Sequence, residues 1–159
     1  MLFRSNSVGV EFDTWYNDFI DPYDGNHIGI DLNGNMNSIT VAPVASILND
    51  GSIYNAWVDY NGKTDNLEVR FAQSSSRPAN PLLSLNVDLE AVLGATSAYV
   101  GFSSGTGAAY NDHDILNFTF VDDYKPVVVT KPVPGPLPLF GVAATFGFSR
   151  RLRNRIKNS

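Results

Sequence analysis

Residues 8–31 read as two short β-strands that flank a loop rich in oxygen ligands. In the first strand, residues 8–13, valines and a phenylalanine alternate with polar or small residues, and this period of two predicts one apolar and one polar face. Residues 27–32 alternate in the same way, with isoleucines on the apolar face. Between them, residues 14–26 carry the Asp, Asn, Pro and Gly that are typical of loops. The pattern predicts an antiparallel strand pair.

The polar face and the loop together hold five side chains of the kinds that bind hard metal ions, namely Glu11, Asp13, Asn17, Asp21 and His27. Ca²⁺ prefers carboxylate, amide and carbonyl oxygens, and Mn²⁺ also accepts an imidazole. Pairing the strands would bring His27 next to Glu11 and Asp13. Each residue alone has an ordinary alternative as a solvated loop or turn residue. Their combination in one short segment predicts a metal site, because such a set is poor core material.

This segment resembles the metal loop of the legume-type (L-type) lectins, whose hallmark reads VAVEFDTxxN, then Asp-Pro, then HIGID. Residues 8–17 here read VGVEFDTWYN, residues 21–22 are Asp-Pro, and residues 27–31 read HIGID. The resemblance implies an all-β fold, a concanavalin-like jelly-roll β-sandwich. It also implies a carbohydrate-binding protein with Ca²⁺ and Mn²⁺, or another transition metal, as cofactors. Glu11 and His27 would bind the transition metal.

The same resemblance implies roles for the other loop residues. Asp13 and Asp21 would bridge the transition metal to Ca²⁺, and Asn17 and the backbone carbonyl of Trp15 would complete the Ca²⁺ ligands. The Asn17 amide would also donate to a sugar hydroxyl.

Three further sugar contacts are implied. Trp15 would stack on the apolar face of the sugar, because an electron-rich ring face attracts C–H groups; its alternative is a half-buried loop aromatic. Ala108 and Ala109, in the loop after Gly107, would also contact the sugar.

Further segments extend the resemblance to about residue 124. Asn61-Gly62 is a strong signal for a two-residue hairpin turn. Residues 87–93 are the one place before residue 132 where a short helical turn is expected. The segments that resemble family strands are residues 54–62, 67–71, 85–89, 99–107 and 112–120.

In this family, roughly as much chain again precedes the VEFDT strand, including an Asp and a Gly-rich loop that complete the sugar pocket. The resemblance here begins at residues 1–3, and no signal peptide is visible. We therefore expect an N-terminally truncated lectin domain, with a partial sandwich over residues 1–124.

Charge divides the chain. Six basic residues against 16 acidic ones give residues 1–131 a formal charge of −10, whereas five basic residues give the remainder +5. An acidic body disfavours nucleic acid as a partner. With 43% hydrophobic residues the chain can form one domain with a core, and with no cysteine its stability depends on that core and on ions.

The C-terminal part carries a separate signal. Residues 125–136 are rich in Pro and Val and predict an extended linker. Residues 137–159 hold an apolar stretch and an Arg-rich end, which predict an apolar helix and a basic tail. The stretch is shorter than the ~20 residues of a full membrane span, although flanking arginines can snorkel.

This layout resembles a bacterial PEP-CTERM sorting signal, with VPGP at residues 133–136 and Gly135 where Glu is usual. The resemblance implies export, transient anchoring in the membrane, exosortase-like sorting machinery as a partner, and a cell-surface or extracellular destination. A permanent anchor and a plain basic tail are the alternatives.

Two other function classes stay open. A jelly-roll glycoside hydrolase would use acids on one strand face; Glu11 and Asp13 alternate suitably, but Trp15 follows instead of a third acid. A structural or adhesive matrix protein without defined sugar specificity is the other alternative. Nucleotide loops, zinc spacings and nucleophile sets are not found, so we expect a binding protein and not an enzyme.

Overall fold

The computed structural model describes residues 6–21, 24–106, 109–125 and 127. These residues form two three-stranded antiparallel sheets and one short helix, which confirms the all-β expectation and is consistent with part of a jelly-roll. The chain divides into two compact units, residues 1–127 and 128–159, and the description below concerns the first. The elements are β1 (Val8–Asp13), β2 (His27–Leu32), β3 (Thr40–Pro43), β4 (Asn55–Asn61), β5 (Asn66–Ala72), β6 (Leu83–Asn86) and α1 (Leu89–Leu93).

The first sheet has the strand order β1-β2-β3 and confirms the predicted strand pair. In its register Asp13 lies opposite His27, and Glu11 lies opposite Gly29. The alternation of β1 and β2 therefore places the charged side chains of both strands on one face. Ile28 on β2 takes the other face and is fully buried.

The second sheet has the order β4-β5-β6. Its β4–β5 hairpin is present, but the predicted two-residue turn is wrong: Asn61 pairs with Asn66, which leaves a four-residue loop. The Asn61 side-chain oxygen accepts from the Lys63 N–H at 3.1 Å, and its carbonyl accepts from the Thr64 N–H at 3.1 Å. The left-handed conformation falls on Asp65, with φ of 52°. The asparagine thus closes a wider turn with its side chain.

Both sheets contribute to one apolar core. The core consists of side chains from β2, β5 and β6 and of one residue just before α1. The rings of Phe12 and Phe71, with centroids 5.9 Å apart, pack beside it. Burying each such aliphatic side chain contributes roughly 1.5–3 kcal/mol. The buried members are Ile28, Ile30, Leu67, Val69, Leu83 and Val87.

The helix α1 confirms the helical turn expected at residues 87–93. The Asp88 side chain accepts from the Ala91 N–H at 2.9 Å and so caps its start. Gly94 ends it in a left-handed conformation, with φ of 65°.

The polar face of the second sheet carries a buried ion network. Arg70 is 3% exposed, and its guanidinium donates to Asp59 at 2.9 Å and to Glu68 at 2.7 Å. Arg77, from the loop before β6, donates to the same Asp59 carboxylate. The network ties that loop to β4 and β5.

Replacing Arg70 by alanine should lower the free energy of unfolding by about 3–5 kcal/mol, because Glu68 loses its guanidinium partner and Asp59 keeps only that of Arg77. Urea unfolding measures the loss. The matched control is Lys63→Ala, an exposed basic residue of the same hairpin, for which we expect a change within about 0.5 kcal/mol. Equal changes in the two variants would contradict the buried role of Arg70.

The structure differs from the expectation at residues 99–107 and 112–120. The described parts of these segments form no strand, and most of their side chains are exposed. Phe102 and Phe118 contact each other edge to face at 5.0 Å, and Tyr99 is fully exposed. A strand exists only with a neighbour that accepts its backbone hydrogen bonds, and these residues pair with no strand of the described chain.

Among the described residues, no helix has the length and apolar character to cross a membrane. The predicted C-terminal helix and basic tail, residues 137–159, lie outside the described residues.

Candidate metal centre

Three predicted metal ligands meet where β1 ends and β2 begins. Asp13 and His27 are opposite each other in the register, and Asp21 reaches them from the intervening loop. One ligand atom of each residue lies within 4.8 Å of the others. Metal–ligand bonds of about 2.0–2.6 Å separate two ligands of one ion by at most about twice that length. The trio therefore has the spacing of a cation site.

The orientation of His27 suits a metal ligand. The side chain is 1% exposed, and its Nδ1 lies 2.6 Å from the Asp24 carbonyl oxygen. Because that carbonyl only accepts, Nδ1 is the donor of this contact, and in the neutral imidazole Nε2 then has a free lone pair. Nε2 lies 3.9 Å from an Asp13 carboxylate oxygen. A second-sphere carbonyl that fixes the imidazole in this way is typical of metal-binding histidines.

Backbone hydrogen bonds shape the loop around the two aspartates. The Trp15 N–H donates to Asp13 Oδ1 at 2.7 Å, and the Asn17 N–H donates to Asp21 Oδ2. The Asn17 carbonyl accepts from the N–H groups of Ile20 and Asp21, at 2.8 and 3.0 Å. The aspartates thus hold the loop backbone as well as facing His27.

A glycine allows this loop to pack closely. A Cβ added at Gly25 would lie 2.1 Å from the Tyr16 nitrogen and 2.4 Å from the Trp15 carbonyl carbon. Both are backbone atoms, which cannot rotate away as a side chain can. Gly25 therefore sets how near the Trp15–Tyr16 backbone comes to the start of β2.

Glu11 lies on the same face of β1 as Asp13 but outside the trio. Burial, together with the charges of Asp31 and Asp13, raises the pKa of Glu11 to about 7. Burial also raises the pKa of Asp13 and of Asp31. Ser38 lies beside Glu11, with its Oγ 3.2 Å from Glu11 Oε2.

The donor set fits divalent cations. Asp21 is 8% exposed and Asp31 is 3% exposed. Within the part of the chain that the structure describes, no lysine or arginine pairs with Glu11, Asp21 or Asp31. Buried carboxylates without a counter-charge are costly, and bound cations would offset this cost. Carboxylates with one imidazole match both a hard cation and Mn²⁺.

The predicted sugar contacts are only partly described. Trp15 is 49% exposed and Asn17 is exposed, so both side chains reach solvent beside the trio. Ala109 is half-buried, and Ala108 lies outside the described residues. The sugar-contact assignments stay predictions.

Sequence reasoning assigned no role to Asp31 or Ser38, although both adjoin Glu11. The alternation of HIGID gives a signal for Asp31, because it puts this residue on the same face of β2 as His27. No comparable signal exists for Ser38, which comes from the connection between β2 and β3 and meets Glu11 only in the folded chain.

Comparison with known families identifies the chain. Residues 3–132 match the sequence model of the legume lectin domain. The chain belongs to the legume lectin domain family. An L-type lectin-domain containing receptor kinase, SIT2, from Oryza sativa subsp. japonica is 39% identical over 124 residues, which are 70% of this lectin-domain chain and 18% of that protein. The receptor kinase IV.1 of the same class from Arabidopsis thaliana is 32% identical over 143 residues, 82% of this chain and 21% of its own length.

The lectin-domain chain thus spans about a fifth of the length of these relatives, between 18% and 21%. Their names combine a lectin domain with a receptor kinase. The present chain matches the lectin-domain model.

Proposed function

We propose that this chain is a carbohydrate-binding lectin domain that uses Ca²⁺ and Mn²⁺, or another transition metal, to order its sugar site. The observation that carries the proposal is the meeting of Asp13, Asp21 and His27 within 4.8 Å, next to a loop whose Trp15 side chain is half exposed. The family match supports carbohydrate as the ligand class.

The proposed division of the ligands is the one that the resemblance to the family's metal loop implies. Glu11 and His27 would hold the transition metal, and the contact of His27 Nδ1 with the Asp24 carbonyl, which leaves Nε2 facing Asp13, supports His27 in this role. Asp13 and Asp21, which meet His27 within 4.8 Å, would serve as the bridging carboxylates. The Asn17 side chain and the Trp15 carbonyl belong to the Ca²⁺ position.

Two hydrogen bonds connect the metal ligands Asp13 and Asp21 to the loop that carries the predicted sugar contacts. The N–H groups of Trp15 and Asn17 donate to Asp13 and Asp21 respectively. Fixing these carboxylates therefore fixes the backbone that carries both predicted sugar contacts. A binding loop that is ordered before the ligand arrives loses less conformational entropy on binding, which favours affinity.

Replacing Trp15 by alanine should reduce sugar affinity about 3- to 10-fold while sparing the ion-induced rise in melting temperature, because the indole face is lost and no carboxylate or imidazole ligand is removed. A glycan array followed by titration with the best ligand measures the effect. Phe19→Ala is the matched control, since Phe19 is 98% exposed in the same loop. Unchanged affinity in Trp15→Ala, or equal losses in both variants, would remove Trp15 from the site.

A structural or adhesive role without sugar specificity is the second candidate. It is favoured by the apolar side chains exposed along residues 99–121, among them Phe102 and Phe118 at 61% and 54%. Competition of surface attachment by free sugars separates the two functions. Inhibition by a sugar favours the lectin, and attachment that no sugar inhibits favours the adhesive protein.

We further propose that the protein is exported, anchored transiently in a bacterial membrane by its C-terminal helix, and sorted by exosortase-like machinery to the cell surface or extracellular space. The support is the order of a Pro- and Val-rich linker at residues 125–136, then an apolar stretch and five basic residues within residues 137–159. Fractionation of cells that express the chain with and without residues 137–159 tests this sorting.

A further inference from the structure

Asp31 is a buried carboxylate whose place in the metal centre needs an explanation. It is 3% exposed on β2, and its Oδ1 accepts a hydrogen bond from Ser38 Oγ at 2.6 Å. The described residues offer it no lysine or arginine. Keeping an ionisable group in such a place costs stability, so its position indicates a use.

Ser38 stands between Asp31 and a predicted metal ligand. Its Oγ lies 2.6 Å from Asp31 Oδ1 and 3.2 Å from Glu11 Oε2. A serine hydroxyl has one proton to donate, so the two carboxylates share it, with the shorter bond to Asp31. That bond fixes the Ser38 rotamer, and the fixed hydroxyl then borders the Glu11 carboxylate.

Space for this contact is left by Gly29, which lies opposite Glu11 in the register. A Cβ at Gly29 would lie 2.2 Å from Ser38 Oγ and 3.4 Å from Glu11 Oε2. Any larger residue here would displace Ser38. The chain thus leaves a gap on the polar face, between His27 and Asp31, in which Ser38 and Glu11 meet.

We propose that Asp31 is a positioning residue of the metal centre, which holds Ser38 and, through Ser38, the Glu11 carboxylate beside Asp13. The inference rests on the proposed function, because it takes Glu11 as a ligand of the transition metal. Residues that orient ligands in this way typically change metal affinity by about 10- to 100-fold when replaced. Since Glu11 serves the transition-metal position, Mn²⁺ affinity should suffer more than Ca²⁺ affinity.

The first experiment titrates the full chain with Mn²⁺ and with Ca²⁺ by calorimetry. Asp31→Ala and Ser38→Ala should each weaken Mn²⁺ binding about 10-fold, and the double variant should be no weaker than either, because both act through one contact. Asp31→Asn should recover most of the affinity, since its amide oxygen still accepts from Ser38. Asp112→Ala, an exposed carboxylate, is the control and should bind as the wild type does.

Two patterns of loss among the variants would overturn the inference. One is additive losses in the double variant. The other is a loss of Mn²⁺ affinity in Asp31→Asn as large as that in Asp31→Ala, while Ser38→Ala binds normally. Asp31 would then act only through its charge. If the wild type binds both ions but neither alanine variant differs from it, the inference fails and the proposed function stands. If the wild type binds neither ion, the proposed function fails.

A second experiment tests the contact without ions. The chain has three glutamates, so carboxyl-¹³C labelling of glutamate gives three NMR signals, and Glu11→Gln identifies one of them. Ser38→Ala and Asp31→Ala should shift the Glu11 signal in the same direction and leave the other two in place. A Glu11 signal that neither variant moves would overturn the inference whatever the ions do.

Discussion

Replacing Asp13 by alanine should abolish the rise in melting temperature that Ca²⁺ and Mn²⁺ are expected to give the wild-type chain. Ions that bind only the folded form stabilise it, by about 2.7 kcal/mol at a concentration 100 times the Kd. Asp13 is central to that binding, because one carboxylate oxygen faces His27 Nε2 at 3.9 Å and the other accepts from the Trp15 N–H at 2.7 Å. Replacing Asp13 therefore removes a metal ligand and, at the same time, the hydrogen bond that holds the loop at Trp15.

The quantity to compare is the response to ions and not the melting temperature itself. Burial raises the pKa of Asp13, so its ionised form is unfavourable in the metal-free fold, and removing it relieves repulsion from Asp21. The variant can therefore melt as high as the wild type in chelator and still fail to respond to ions.

Thermal melts in chelator, in Ca²⁺ and in Mn²⁺ provide the measurement for Asp13→Ala. Asp18→Ala is the matched control, since it removes an exposed carboxylate from the same loop, and it should keep the full response. A wild-type curve that ignores the ions, or an Asp13→Ala curve that follows the wild type, would show that the metal assignment is wrong.

The first strand pair could be predicted because its signals are local. Alternation over residues 8–13 and 27–32 fixes which side chains share a face, and the loop residues between them indicate a return of the chain. The alternation predicted that His27 shares a face with Glu11 and Asp13, and the register places it opposite Asp13. The meeting of Asp21 with both was expected from the resemblance, which implies that Asp13 and Asp21 bridge two ions.

The features that sequence reasoning missed depend on contacts that the local sequence signals do not include. The hairpin after Asn61 has a four-residue loop because side-chain and backbone bonds of Asn61 close it, which the Asn-Gly signal does not include. Residues 112–120 alternate as a strand does, but a strand also needs a neighbour, and alternation cannot supply one. The contact between Ser38 and Glu11 joins residues that are 27 apart in the chain, so no local pattern predicts it.

Replacing Gly25 by alanine should also abolish the ion response, although it removes no ligand. The new Cβ would lie 2.1 Å from the Tyr16 nitrogen and 2.4 Å from the Trp15 carbonyl carbon. Since both are backbone atoms, the loop itself must move, and the Trp15 carbonyl moves with it. Overpacking of this kind costs about 1–3 kcal/mol of folding stability, and the displaced loop loses its hydrogen bond to Asp13.

Gly101→Ala is the matched control, because a Cβ at Gly101 meets no atom within 4 Å. Melts with and without ions, together with sugar titration, measure the Gly25→Ala effect. Asp13, Asp21 and His27 all remain in this variant. A lost ion response would therefore show that ion binding needs the loop backbone as well as these side chains. A Gly25→Ala chain that keeps both its ion response and its sugar affinity would show that the Trp15 carbonyl is not a ligand, and that the three side chains hold the cation without the loop.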